Sequence, residues 1–279
     1  MIENISPKNS DWITLKPLSL ASFGVNTQLK QPTAEEYNVL AGVYKNRNLN
    51  KKVIDCYSKA LAKRESTFGL LHQKTANSYN NLADAYAADG SRLQALKFYI
   101  KALNIREELF GLNHPQTATI YSNMANIYFE DSNFEKAYSL YKKALSIRIE
   151  HLGKEHIHTA SSYQELGYFY ATSEEYELAL PLFEQAVKVR KKLLKMSHPD
   201  TATSYNNLAI CYYHLFDYEK ARDCLTISIK IRSLILDSKD VSLVSAKKNL
   251  KEIKKTIAKN KKIKPLSLLA KLITRKSNA

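Results

Sequence analysis

Apolar and polar positions alternate along this chain with a long, fixed beat. Tyr37, Tyr79, Tyr121, Tyr163 and Tyr205 stand 42 residues apart, and seven positions further on so do Tyr44, Tyr86, Tyr128, Tyr170 and Tyr212. Between the two columns fall Leu40, Leu82, Met124, Leu166 and Leu208, each followed by a small residue: Ala41, Ala83, Ala125, Gly167 or Ala209. At about 100° per residue such spacing keeps these side chains on one face of a helix, whereas a strand would divide them between two faces. The pattern predicts five copies of an amphipathic helix, A.

A second set follows each A helix with a small, aromatic, small spacing: Ala95, Tyr99 and Ala102, then Ala137, Tyr141 and Ala144, then Ala179, Phe183 and Ala186. This predicts a helix B. Small residues in both helices allow close antiparallel approach, while the rings fill space toward the next hairpin, so no repeat buries its core alone and stacking is required. Polar junctions such as Ala88 to Ser91 turn the chain within a repeat, and Gly69, Gly111 and Gly153 are placed to end helix B. Thr33, Thr75, Thr117, Thr159 and Thr201 precede the A face and are expected to cap it.

The period divides the chain into an N-terminal segment 1–30 and an array 31–239, made of units 31–72, 73–114, 115–156, 157–198 and 199–239. A capping helix 240–262 and a basic amphipathic tail 263–279 follow. The cap is read from Val241, Val244, Leu250, Ile253 and Ile257, and Pro265 is expected to stop it before a short helix begins. The hexapeptide Ile263–Leu268 nearly repeats Leu15–Leu20, as two segments packing on similar solenoid surfaces would.

The segments YNNLADAY, YSNMANIY and YNNLAICY, each followed by AxxxYxxA or a close variant, resemble tetratricopeptide repeats over Gln31 to Lys239. The 42-residue period, the IRxxL continuation of helix B and the GxxHP linker at Gly111 to Pro115 resemble the kinesin light chain subtype, whose helix B is longer than in the usual unit of about 34 residues. The resemblance implies an all-α fold, a right-handed superhelical solenoid of antiparallel helix pairs, whose concave surface is lined by helix A and holds peptide segments. No heptad coiled coil is read ahead of Gln31, so what carries over is the cargo-binding part and not the part that joins a motor.

Composition adds a second theme. The net charge of +15 is lopsided: from Ala246 onward eleven Lys and one Arg face Glu252 alone, a surplus of +11 that leaves +4 for the preceding 245 residues. A near-neutral array thus ends in a basic tail. Three cysteines, Cys56, Cys211 and Cys224, have no metal-ligand spacing and read as core thiols in a reducing compartment, the cytoplasm. The first thirty residues hold Trp12 and scattered leucines but no unbroken apolar run, so neither a secretory signal nor a spanning helix is expected there.

Candidate binding residues come from the polar side of helix A. Opposite the Tyr and Leu face stand Asn77, Asn81, Asp84 and Ala88, then Thr119, Asn123, Asn126 and Glu130, then Ser161, Glu165, Tyr168 and Thr172, then Thr203, Asn207, Ile210 and His214. Asn is a poor helix former whose amide both donates and accepts, which suits reading an extended backbone. The groove set is therefore Asn77, Asn81, Asp84, Asn123, Asn126, Tyr168, Asn207 and His214. The alternative, that these amides bond neighbouring helices and fix the stack, stands beside it. Asn80 and Asn206 lie off the groove axis.

The basic-tail set is Lys261, Lys262, Lys264, Lys271, Arg275 and Lys276, facing an anionic membrane or nucleic acid, a partner groove, or the array itself. Arg64, Arg106, Arg148, Arg190 and Arg232 recur near the end of helix B and read as structural, on the helix C-terminal dipole and pairing with carboxylates such as Glu107. His72, His114, His156 and His198 read as turn residues of the linker, in preference to a metal site around His151, Glu155, His156 and His158. There is no phosphate loop, nucleophile elbow, HExxH or paired CxxC. The expectation is a non-catalytic adaptor without cofactor, metal or small-molecule substrate, binding a protein or peptide partner, with tail-mediated anionic binding as the alternative.

Overall fold

The computed structural model describes residues 32–194 and 197–276, with side chains as far as Asn260. The segment 1–30, including the Leu15–Leu20 hexapeptide, lies outside the described residues. Those described are helical and contain no strand. They fall into two compact units, Met1–Leu109 and Phe110–Ala279. The first holds α1 (Ala34–Lys45), α2 (Asn50–Phe68), α3 (Gln73–Ala88) and most of α4 (Arg92–Phe110). The second holds α5 (Pro115–Glu130), α6 (Phe134–Leu152), α7 (Ile157–Thr172), α8 (Tyr176–Leu193), α9 (Pro199–His214), α10 (Tyr218–Ile235) and α11 (Val241–Lys276).

Odd-numbered helices α1 to α9 are the predicted A helices and the even ones the B helices. The main contacts are between neighbours in sequence, α1 on α2, α2 on α3, α5 on α6, α6 on α7 and so on to α10 on α11, with lesser ones between successive A helices, α5 with α7 and α7 with α9. The predicted faces are the buried ones. Tyr79, Tyr121, Tyr163 and Tyr205, the Leu/Met column and the small residues after it are buried, as are Ala95, Tyr99, Ala102, Ala137, Tyr141, Ala144, Ala179, Phe183 and Ala186. The second tyrosine column is half-buried from Tyr86 onward. Gly167 shows why the small column exists: a Cβ there would lie 2.8 Å from Cε1 of Phe183, so α7 and α8 approach through a hydrogen atom.

The turn from A to B passes through one left-handed residue in every pair: Asn48, Gly90, Ser132, Glu174 and Phe216, with φ of 55°, 80°, 59°, 62° and 62°. Only Gly90 is free of the steric cost that a Cβ carries in this region. The B helices α2 and α6 end on Gly69 and Gly153 as expected, and Gly111, also at positive φ, follows α4.

The caps of helix A differ from the sequence expectation. Thr33 does cap α1, in a capping box with Glu36. In the other A helices the cap is the linker histidine three residues earlier: Nδ1 of His72, His114, His156 and His198 accepts from the backbone N–H of Lys74, Gln116, His158 and Asp200 at 3.1, 3.2, 3.2 and 3.1 Å. Thr75, Thr117, Thr159 and Thr201 lie inside the first turn and are fully buried. Thr75 and Thr159 donate instead to the carbonyls of Gly69 and Gly153, both at 2.8 Å, which ties the start of helix A to the end of the preceding helix B. A deeply buried threonine cannot also cap an exposed turn, and the imidazole reaches the free N–H groups from outside. Asp240, next in the histidine register, accepts from the N–H groups of Ser242 and Leu243 at 2.9 and 3.2 Å and opens α11.

α11 departs from expectation twice. It runs unbroken through Pro265 to Lys276, where a stop was expected. A proline forfeits one backbone bond but has a φ that suits a helix, and the Lys, Leu, Ile and Ala around it are mostly good helix formers. The buried side is Leu243, Ala246, Ile253 and Ile257, whereas Val241 and Val244 are exposed.

Candidate functional site

The arginine column is the most regular polar feature of the fold. Arg64, Arg106, Arg148 and Arg190 are buried, each on a B helix. Nη1 of Arg64, Arg148 and Arg190 crosses to the next A helix, donating to Oγ of Ser78, Ser162 and Ser204 at 2.9, 2.6 and 2.7 Å and to the carbonyls of Lys74, His158 and Asp200 at 3.3, 3.3 and 3.2 Å. Nη2 turns back to the A helix of its own pair, to Glu35, Asn77, Thr119 and Ser161 from Arg64, Arg106, Arg148 and Arg190 in turn. Arg64, Arg148 and Arg190 therefore each tie two A helices to a B helix, with neutral acceptors for the most part and not chiefly with the local carboxylates expected from sequence. Burial pulls Arg106, Arg148 and Arg190 below the usual arginine value, but a guanidinium stays charged throughout.

These ties consume part of the predicted groove column. Asn77 accepts from Arg106 at 2.9 Å. Asp84 accepts from the Tyr99 hydroxyl at 2.5 Å and from Asn80 Nδ2 at 3.1 Å. Asn126, one period on, accepts from the Tyr141 hydroxyl at 2.5 Å. Glu165 accepts from Ser122 at 2.8 Å and faces Arg148 at 3.7 Å, yet burial still pushes its carboxyl above the usual range, as it does that of Asp84. Asn123 is half-buried and also engaged within the fold.

The tyrosine that reaches up from helix B is absent from the last two pairs, where Phe183 and Leu225 occupy its register. The groove positions in register with Asp84 and Asn126 change accordingly, to Tyr168 and Ile210, both substantially exposed. The side chains of Asn81, Asn206, Asn207 and Asn249 make no hydrogen bond among the described residues. His214 stacks on Tyr176 with ring centroids 4.2 Å apart and planes 5° from parallel.

Two hollows mark this face. A small one of 40 Å³ in the first unit is bordered by Lys45, Asn50, Tyr57, Asn81 and Asp84. A larger one of 290 Å³ opens between α9 and α11, bordered by Asn206, Ile210, Tyr213, His214, Leu225, Asn249, Glu252 and Ile253. The wider opening follows from register, since Leu225 is shorter than tyrosine and sends no hydroxyl toward Ile210. The site thus combines free amides, exposed apolar side chains and a hollow for one side chain.

No group of three His, Cys, Asp or Glu among the described residues is placed to hold a metal ion. The thiols are unreactive in character. Cys56 and Cys211 are buried and Cys224 half-buried, and burial raises all three, Cys211 and Cys224 to about 11. No described helix is long and apolar enough to cross a membrane.

The sequence profile of the tetratricopeptide repeat matches residues 33–108, 81–150, 116–192 and 158–233. No curated protein matches. Among solved structures, BtubC (BKLC) from P. vanneervenii is 26% identical with a TM-score of 0.63, over 72% of this chain and 80% of that one. A Podosopora anserina structure described as a kinesin light chain of nearly identical TPR-like repeats shares 22% identity with a TM-score of 0.57, over 73% and 97%. Aspartyl phosphate phosphatase F from Bacillus subtilis shares 17% identity and the fold, with a TM-score of 0.65 over 78% and 54%. The resemblance to kinesin light chain-like repeat arrays read from the 42-residue period is thus met in three dimensions, and this chain belongs to the tetratricopeptide repeat family.

Proposed function

We propose that the chain is a non-catalytic adaptor of the cytoplasm that holds an extended segment of a partner protein along the polar face of its A helices. The observation that carries this reading is the contrast along one column. Asn77, Asp84 and Asn126 are tied down by neighbours, while the side chains of Asn81 and Asn207 have no hydrogen-bond partner among the described residues, Asn81 beside the smaller hollow and Asn207 next in sequence to Asn206, which borders the larger one. Unpaired amides on a folded surface cost little in water and gain hydrogen bonds when a peptide backbone arrives. Groove residues in this reading are Asn81, Asn123, Tyr168, Asn207 and His214, with Asn77, Asp84 and Asn126 as their support.

The test begins with affinity capture of a partner and mapping of the bound segment on overlapping peptides of that partner. Full-length protein carrying Asn81→Ala and Asn207→Ala should bind that segment about tenfold more weakly, as expected for two hydrogen bonds of about 0.5–1.5 kcal/mol each, while melting like the parent. Unchanged affinity sinks the groove assignment.

A second reading gives Lys261, Lys262, Lys264, Lys271, Arg275 and Lys276 contact with an anionic surface, supported by the +11 surplus after Ser245. Removing everything after Ser245 would strip Ala246, Ile253 and Ile257 from α10, so charge-neutralising substitutions are the cleaner probe.

A further inference from the structure

The lysine surplus does not begin in the tail. Lys247, Lys251, Lys254 and Lys255 lie within the part of α11 that packs on α10, and they line one shallow concavity together with Leu250 and Ala258. All four are exposed, and among the described residues only Lys255 has an acidic partner, Glu252 at 2.8 Å. Helical geometry sets Lys247, Lys251 and Lys255 in a row, one step per turn of about 5.4 Å, with Lys254 beside the last of them.

Three kinds of anion are candidates for such a row, and the face discriminates among them. A helix that lies in a lipid surface needs a free apolar side next to its lysines. Here Leu243, Ala246, Ile253 and Ile257 are already buried in the array, and the exposed Val241 and Val244 at the start of the helix are two small side chains, too little apolar surface to hold it in lipid. Protein interfaces draw their energy from aromatic residues and Arg and are poor in Lys, and this face has neither Arg nor an aromatic ring. A phosphodiester backbone needs only point charges in series, which lysines supply without base contacts.

We infer that the Lys247–Lys255 face of α11 is a docking strip for the phosphate backbone of nucleic acid, sequence-independent and carried by the folded array. The inference extends the second reading above from the tail to the body of the protein and can fail while that reading stands. It leaves the groove free, so a bound peptide and a bound strand occupy different surfaces.

The test uses the full chain and a fluorescent oligothymidylate of about 30 nucleotides, with affinity measured between about 50 and 200 mM salt. Binding should weaken linearly in log–log form. In the variant K247Q/K251Q/K254Q/K255Q the slope should fall by about 3, at about 0.7 per lost phosphate contact on a single strand, with the melting temperature unchanged because all four side chains are exposed. Changing Lys261, Lys262 and Lys264 to Gln should leave part of the binding in place. The inference is overturned if the four-lysine variant binds with the parental slope, and the tail reading survives that result if the tail variant alone loses binding. It is equally overturned if the parent ignores the oligonucleotide at low salt, including the case where it co-floats with phosphatidylserine vesicles instead.

Discussion

Arg148 Nη1 donates to Ser162 Oγ at 2.6 Å from a position that is only 4% exposed, joining α6 to the start of α7. The same step of 14 residues links Arg64 to Ser78 and Arg190 to Ser204. In a linear array each unit is held chiefly by its neighbour, so a bond of this kind acts on the interface between repeats and not on the helix that carries it.

Replacing Arg148 by Met should therefore cost about 2–4 kcal/mol, the penalty for breaking a buried charged network, leaving Ser162 without its donor and Glu165 without the nearby guanidinium. Arg232→Met should cost under about 1 kcal/mol, because Arg232 is only half-buried. Urea unfolding gives the totals. Amide exchange should localise the Arg148 effect to α6 and α7, as local opening in repeat proteins follows the weakened interface.

The histidine caps predict a chemical preference. His156→Ala should destabilise by about 1 kcal/mol, while His156→Asp, which keeps an oxygen acceptor for the N–H of His158 and adds charge at a helix N-terminus, should retain or raise stability. Thermal melts of the two variants decide it. Equal losses in both would mean that the imidazole ring packs more than it caps.

The left-handed turn residues offer a stabilising change. Ser132→Gly and Phe216→Gly should each gain about 0.5–1 kcal/mol, because glycine adopts φ near 60° without the Cβ clash, and Gly90 already fills the equivalent turn. A fall in melting temperature for Ser132→Gly would show that its turn is held by the side chain.

Glu165 predicts a pH dependence with a definite sign. Burial raises its carboxyl pKa in the folded state even though Arg148 stands nearby. The folded protein therefore binds this proton more tightly than the unfolded chain. The stability it lends is full below the ordinary glutamate range and declines as pH rises through the raised value. Glu165→Gln should lack that decline, so the difference in stability between variant and parent, followed by denaturant titration from acid to neutral pH, should shift in favour of the variant. A difference independent of pH would contradict the burial account.

How much of this was legible beforehand depended on the kind of interaction. The two tyrosine columns and the small residues between them are periodic and apolar, and burial follows periodicity because one face of each helix must leave water. The threonine column is periodic too, yet only Thr33 caps its helix as the period suggests. Thr75 and Thr159 cap nothing and bond backward to Gly69 and Gly153 instead, a distinction that depends on where the helix starts by three residues. Pro265 was read as a stop, although the residues around it carry the helix through.

The candidate groove was legible as a face but not as a set of available groups. Periodicity places Asn77, Asn81, Asp84, Asn126 and Asn207 on one side; it does not say which amides are already engaged. That is decided by side chains reaching from other helices, Arg106 to Asn77, Tyr99 to Asp84 and Tyr141 to Asn126. A clue was present in register, since Tyr99 and Tyr141 go with the polar Asp84 and Asn126, and Phe183 and Leu225 with Tyr168 and Ile210, although Tyr57 in the first pair goes with Gly42. Its meaning required the distance between hydroxyl and acceptor.

By itself, then, the sequence determined the helices, their pairing and the division between a near-neutral array and a basic end, because all three follow from composition and period along the chain. Tertiary structure decided which polar groups remain unpaired, that Arg64, Arg148 and Arg190 bind between repeats mostly through neutral acceptors and only in part to carboxylates, and that α11 presents its lysines from within the folded body. Those outcomes turn on contacts between residues up to 43 positions apart, such as Ser122 with Glu165, and hydrogen bonds at that separation are set by packing, which no local pattern encodes.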